Sequence, residues 1–105
     1  MWKLPILNER SASYARAHGF SYRRINITSA RTRWGSCSTR GSVSFTWRLI
    51  MAPLAVVDYV ILHELAHTQI PNHSRHFWDR MGQLLPDYRS HRQWLKENGN
   101  LLRLE

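Results

Sequence analysis

Between Pro53 and Pro71 the chain reads Leu54-Ala55-Val56-Val57-Asp58-Tyr59-Val60-Ile61-Leu62-His63-Glu64-Leu65-Ala66-His67-Thr68-Gln69, then Ile70. With neither glycine nor proline inside it, this run predicts the longest helix of the protein, and Pro53 suits a first helical position because an N–H there has no intrahelical partner. Val56, Val57, Val60, Ile61, Leu62, Leu65 and Ala66 make the helix apolar over most of its circumference. Such a helix belongs in the interior, between a sheet and other helices, rather than on a surface with one wet face. Set into it are three groups that resist burial: His63, Glu64 and His67.

Those three spell the pattern HExxH. On a helix of about 3.6 residues per turn, positions four apart lie about 40° from each other around the axis, so both imidazoles leave one face and can reach one metal ion. Glu64 lies about 100° round from His63, which suits a general base acting on water better than a third ligand. A pattern with so few fixed letters recurs by chance, and a buried histidine often serves only the core. Here, however, burying His, Glu and His among aliphatic side chains is costly unless they are bound to something, and a metal ion supplies that compensation.

A catalytic zinc takes three protein ligands and keeps a fourth position open. Downstream of His67 the candidates are His73, His76, Asp79, Asp87 and His91. His73 comes just after the helix break expected at Ile70-Pro71, so a reversal of the chain can return its imidazole to the ion. Asp79 is the rival, an acidic ligand from the next helix, whereas His76 reads as an exposed or supporting residue. In metzincins the turn carries a glycine where Ile70 stands here, and a β-branched residue does not tolerate positive φ. The turn is therefore expected to run through Pro71 and Asn72.

Outward from this centre the other elements follow. Asn8 to His18 predicts a short first helix with Asn8 or Ser11 as its cap and Gly19 as its stop. Residues 22 to 28 and 32 to 38 read as extended, and residues 42 to 48 alternate, with Val43, Phe45 and Trp47 on one side and Ser42, Ser44 and Thr46 on the other. Thr39, Arg40 and Gly41 supply a hairpin turn. The strand from Trp34 to Ser38 is expected either to pair edge-on with an extended peptide, Gly35 allowing close approach, or simply to pack Trp34. Ser74 caps a helix running to about Leu85, Pro86 and Asp87 break it, and a last helix from Tyr88 to Asn98 buries Trp94 and Leu95 before Gly99. Strands followed by helices give an α+β class.

The 105 residues suffice for one domain, 1–105, and not for two. Five Trp, four Tyr and three Phe provide a real core and argue against disorder. A formal charge of +8, from 15 basic against 7 acidic residues, favours an acidic or nucleic-acid-associated partner, but the arginines are scattered, so a solvated surface is an equal reading. The single Cys37 excludes an internal disulfide and reads as a small core residue in a reducing compartment. No run approaches the roughly 20 apolar residues of a membrane span, and the amino-terminal apolar run is too short for a signal peptide, so a cytoplasmic protein is expected. The terminal Leu104 and Glu105 read as an appendage to the domain.

Several stretches, in one order, carry a resemblance. They are Thr32 to Ser38, Phe45 to Leu49, Asp58 to His67, Asn72-His73-Ser74 with Phe77-Trp78, and Pro86-Asp87-Tyr88 with Trp94-Leu95. Together they resemble the YgjP-like metallopeptidase family, relatives of the WLM and SprT-type proteases. The resemblance implies a minimal zincin-like fold with a short N-terminal helix, a small three-stranded sheet, the buried HExxH helix and two further helices. It also implies zinc on His63, His67 and His73, Glu64 as base, and a peptide or protein substrate. No residue is singled out to steady the oxyanion: Arg75, His76, Tyr88 and His91 could each serve, yet each reads first as a surface or packing residue. The family also includes proteins assigned nucleotide pyrophosphatase activity, so a metal-dependent nucleoside triphosphate pyrophosphatase is the first alternative, although no glycine-rich phosphate loop is present. The second is a basic nucleic-acid-binding module with structural zinc, against which stands Glu64, because structural sites close with four protein ligands and need no base.

Overall fold

A computed structural model describes residues 4–98 and 103–104. In chain order these form α1 (Leu4–His18), β1 (Arg24–Thr28), β2 (Arg33–Cys37), β3 (Ser42–Thr46), a 3-10 helix (Trp47–Met51), α2 (Leu54–Ala66), α3 (Arg75–Leu84), α4 (Tyr88–Asn98) and β4 (Arg103–Leu104). The expected α+β architecture is present. Gly99, read as the stop of the last helix, lies outside the described residues.

The sheet runs β1-β3-β2-β4. β2 and β3 form the antiparallel hairpin, with Gly41 at φ +83 and the Ser38 hydroxyl accepting from the N–H groups of Arg40 at 3.3 Å and Ser42 at 3.1 Å. β1 lies parallel to β3, pairing Ile25 with Val43 and Ile27 with Phe45. To this three-stranded core is added the two-residue β4, parallel to β2, so Leu104 is a member of the sheet and not an appendage. The alternation of β3 is as read, with Val43 and Phe45 fully buried, but it stops at Thr46. The Thr46 hydroxyl donates to the Ala30 carbonyl at 2.8 Å and accepts from the Arg48 N–H, which turns Trp47 and Arg48 into the 3-10 helix instead of prolonging the strand.

α2 is the hub, in contact with α1, α3, α4, β2 and the 3-10 helix. Tyr59, Val60, Ile61, Leu65 and Ala66 are fully buried, each large aliphatic side chain contributing about 1.5–3 kcal/mol of hydrophobic stabilisation as an upper estimate. Regular helix ends at Ala66 rather than Gln69, and the chain tightens there, the N–H groups of Thr68 and Gln69 reaching the carbonyls of Leu65 at 3.0 Å and Ala66 at 3.1 Å. Packed on α2 is α1, which begins at Leu4, earlier than expected, because Leu7 is already fully buried against the core; its 15 residues exceed the 13 of α2, so the first helix is not short and α2 is not the longest. Ser11 is therefore interior to the helix, donating to the Leu7 carbonyl at 2.6 Å, and is not its cap. Arg10 grips Asp58 with two bonds, 2.5 and 2.7 Å, joining α1 to the outer side of α2. No described helix is long and apolar enough to cross a membrane.

Candidate metal centre

His63 and His67 leave α2 on one face, as their spacing requires, His63 from the last full turn and His67 from the turn that ends the helix. The chain then reverses. Ile70 is turned inward, its N–H bonded to the Ala66 carbonyl at 2.9 Å, and its own carbonyl accepts from His67 Nδ1 at 2.9 Å. The Asn72 side-chain oxygen accepts from the Ser74 N–H at 3.3 Å, and the Ser74 hydroxyl caps α3 through the Phe77 N–H at 3.4 Å. These bonds do the work of a turn glycine and bring His73 back over the end of α2.

The outcome is a triangle of imidazole nitrogens. His67 Nε2 lies 3.2 Å from His63 Nε2 and 3.1 Å from His73 Nε2, and the third side, His73 to His63, is 3.2 Å. His63, His67 and His73 are thus positioned to bind a metal ion. The donor set fits one. A tetrahedral zinc with bonds of about 2.0–2.1 Å holds its nitrogens about 3.3 Å apart, close to the sides of this triangle. His67 donates from Nδ1 to the Ile70 carbonyl, which leaves the Nε2 lone pair aimed into the triangle. Burial holds His67 below the ordinary imidazole pKa, the Ile70 bond opposing and the neighbouring His73 adding to the shift, a direction that favours the neutral ring.

Aromatic rings support the triangle from the helical side. Phe77, fully buried, stacks on His67 at 4.3 Å between centroids and meets His63 and His73 edge-on at 4.9 and 5.3 Å. Trp78 stacks on His73 at 5.8 Å. On the sheet side Glu64, fully buried, lies beneath β2. A Cβ on Gly35 would stand 3.0 Å from the Ser44 carbonyl oxygen, 3.1 Å from Glu64 Cγ and 3.3 Å from Glu64 Oε2. The glycine thus admits the carboxylate, and the close approach expected there is to Glu64.

A cleft of about 500 Å³ opens from the triangle along this wall, lined by Ser36, Cys37, Ser44, His67 and His73. Cys37, half-buried, packs against the core and also forms part of that wall, with its thiol pushed up to about 11 by burial and by the nearby Glu64. The edge of β2 expected to pair with a peptide already carries β4 at Arg33 and Gly35, and Trp34, 5% exposed, packs inward. Of the remaining candidates, Asp79 faces Arg75 at 4.0 Å, away from the triangle, and His76 is exposed on α3. His91 approaches Asp87 at 3.4 Å. Tyr88 is 8% exposed and stacked on Trp78.

The sequence profile of the YgjP-like metallopeptidase domain family matches residues 3–98. The protein belongs to the YgjP-like metallopeptidases. Among solved structures the fold of this YgjP-like chain is similar to that of the metallopeptidase zymogen of Pyrococcus abyssi, abylysin, with a TM-score of 0.75 over 88% of this chain and 94% of that one. Identity is 15%, so that likeness concerns the fold. No curated protein matches the YgjP-like chain by sequence. Family membership makes it a metallopeptidase, a hydrolase, and its three converging histidines are positioned to bind a metal ion.

What sequence reasoning missed is the packing around the three histidines. Phe77 and Trp78 entered only through the family resemblance, although Phe77 and Met81, one helical turn apart, mark the buried face of α3.

Proposed function

We propose that this protein is a zinc-dependent peptidase in which His63, His67 and His73 hold the ion and Glu64 is the general base. The observation that carries the reading is the triangle of Nε2 atoms, 3.1 to 3.2 Å on a side, with a buried carboxylate from the adjacent residue of the same helix. When bound, the ion would act as a Lewis acid, polarising a carbonyl and acidifying water at neutral pH. Glu64 takes the proton of the attacking water on a carboxylate oxygen and hands it to the nitrogen of the departing amine. The close wall of Gly35 and the Ser44 carbonyl confines that carboxylate beside the triangle. Phe77 fixes the rotamers of all three imidazoles, so little reorganisation is needed on loading.

The test separates ligands from base. Glu64→Gln is expected to retain one zinc per chain by metal analysis and lose peptide hydrolysis by about two orders of magnitude or more. His73→Ala is expected to lose the zinc as well. Full activity in Glu64→Gln would remove Glu64 from the role of base, and full zinc occupancy in His73→Ala would remove His73 from the ligand set.

A further inference from the structure

On the other side of Trp78 from the triangle, α3 and α4 form a second cleft, of about 580 Å³. Three guanidiniums line it, those of Arg75, Arg89 and Arg92, against a single carboxylate, Asp79. Arg75 and Asp79 stand 4.0 Å apart, both well exposed, so the pair neutralises little. Arg89 and Arg92 make no ion pair among the described residues. They lie over the Tyr88 and Trp78 rings at 5.4 and 4.6 Å from the centroids, contacts that hold a guanidinium in place without cancelling its charge. The cleft therefore has fixed positive charge in excess, on two helices anchored through Phe77, Met81, Tyr88 and Leu95 in the core.

The distance to the metal centre is set by one residue. Trp78 lines this cleft and also stacks on His73 at 5.8 Å. Two or three residues of extended peptide span about 7–10 Å, enough to cross that indole with a scissile bond over the imidazoles. The same ring contacts argue against a nucleobase as occupant. Trp78 is already stacked on Tyr88 at 5.5 Å and on His73, with Arg92 above it, which leaves little ring face for base stacking.

We propose that the cleft between α3 and α4, through Arg75, Arg89 and Arg92, selects peptide substrates carrying an acidic side chain within a few residues of the scissile bond. The inference rests on the peptidase reading above and supplies its substrate class. Guanidiniums bind carboxylates through paired N–H donors, so the selectivity is expected to be stronger for arginine than for a lysine in the same place.

The experiment compares pairs of quenched fluorescent peptides that differ only by Glu or Gln, placed in turn at each of the three positions on either side of the cleaved bond. For at least one position kcat/KM is expected to favour Glu by about tenfold or more. The ratio should fall toward one in Arg89→Gln/Arg92→Gln, recover in part in Arg89→Lys/Arg92→Lys, and stay unchanged in Arg16→Gln/Arg23→Gln, which removes two exposed charges elsewhere. A ratio near one in the wild type at every position, or the same fall in the remote double variant, overturns the proposal. So does a single-stranded oligonucleotide that binds through Arg89 and Arg92 while the peptide ratio stays near one, which would assign the cleft to nucleic acid. Binding of the same peptides to the Glu64→Gln protein, read by anisotropy, keeps the two readings apart. Acid-selective binding without any cleavage by the wild type removes the peptidase chemistry alone, whereas cleavage without acid selectivity removes this inference alone.

Discussion

On the sheet side of the imidazole triangle the wall is backbone and small side chains, Gly35, Ser36, Cys37 and Ser44, while on the helical side it is large rings, Phe77 and Trp78, backed by arginines. The two walls position the same site by opposite means. The helical wall works by filling space: Phe77 touches all three imidazoles, and its removal leaves a void against each of them. The sheet wall works by leaving space out, since Glu64 occupies the volume that any side chain at position 35 would need. Truncation should therefore be damaging on one side and enlargement on the other.

The largest effect is expected at the helical wall. Phe77→Ala should cost about 3–5 kcal/mol of unfolding free energy in a denaturant titration and weaken zinc retention, because a fully buried ring is lost and His67 loses its stacking partner. A loss below about 1 kcal/mol would mean that the wall collapses to fill the gap, and the contrast between the two sides would fail. Next comes the sheet wall. Gly35→Ala should lower kcat/KM by about 10- to 100-fold, equivalent to about 1.4–2.7 kcal/mol, while zinc content stays at one per chain. The Ser44 carbonyl is fixed in the β2–β3 ladder, so the added methyl has to displace Glu64. Unaltered kinetics in Gly35→Ala would show that the carboxylate can act from a shifted position.

The smallest effect sharpens the comparison within the sheet wall itself. Cys37 borders the same cleft, but its thiol is pushed up to about 11, so it is a neutral wall residue at neutral pH, with Sγ only 3.5 Å from the Ser38 carbonyl as its bonding partner. Cys37→Ser should change kcat/KM by less than about threefold. Alkylation of the wild-type thiol should be slow at pH 7 to 8 and accelerate as pH rises toward 11, because only the thiolate reacts. Rapid alkylation at neutral pH would mean that the wall holds a thiolate in spite of burial and the nearby Glu64.

Much of this could be read locally. The buried α2, the HExxH spacing, the hairpin at Gly41, the Ser74 cap and the span of α4 each follow from a period, a cap or a turn residue within a few positions of chain. The exit from β3 could not, because Thr46 is turned by the Ala30 carbonyl, which comes from another part of the chain. Neither could the start of α1, whose first turns are helical because Leu7 has a core to enter. Nor could β4, which pairs with an edge of β2 far from it in sequence.

For the site, the sequence alone determined that two imidazoles share a helix face with a carboxylate about 100° away, since a helix of fixed pitch leaves no other arrangement. It also limited the candidates for a third ligand to His73, His76, Asp79, Asp87 and His91. Spacing left His73 and Asp79 open and the family resemblance favoured His73, but it is the tertiary structure that brings His73 to the triangle. That choice depends on the direction in which the chain leaves α2, and the direction is set by bonds from Ile70, Asn72 and Ser74 together with the burial of Phe77. Likewise Arg75, Arg89 and Arg92 share no motif, because two helices packed side by side bring together residues that no local period connects.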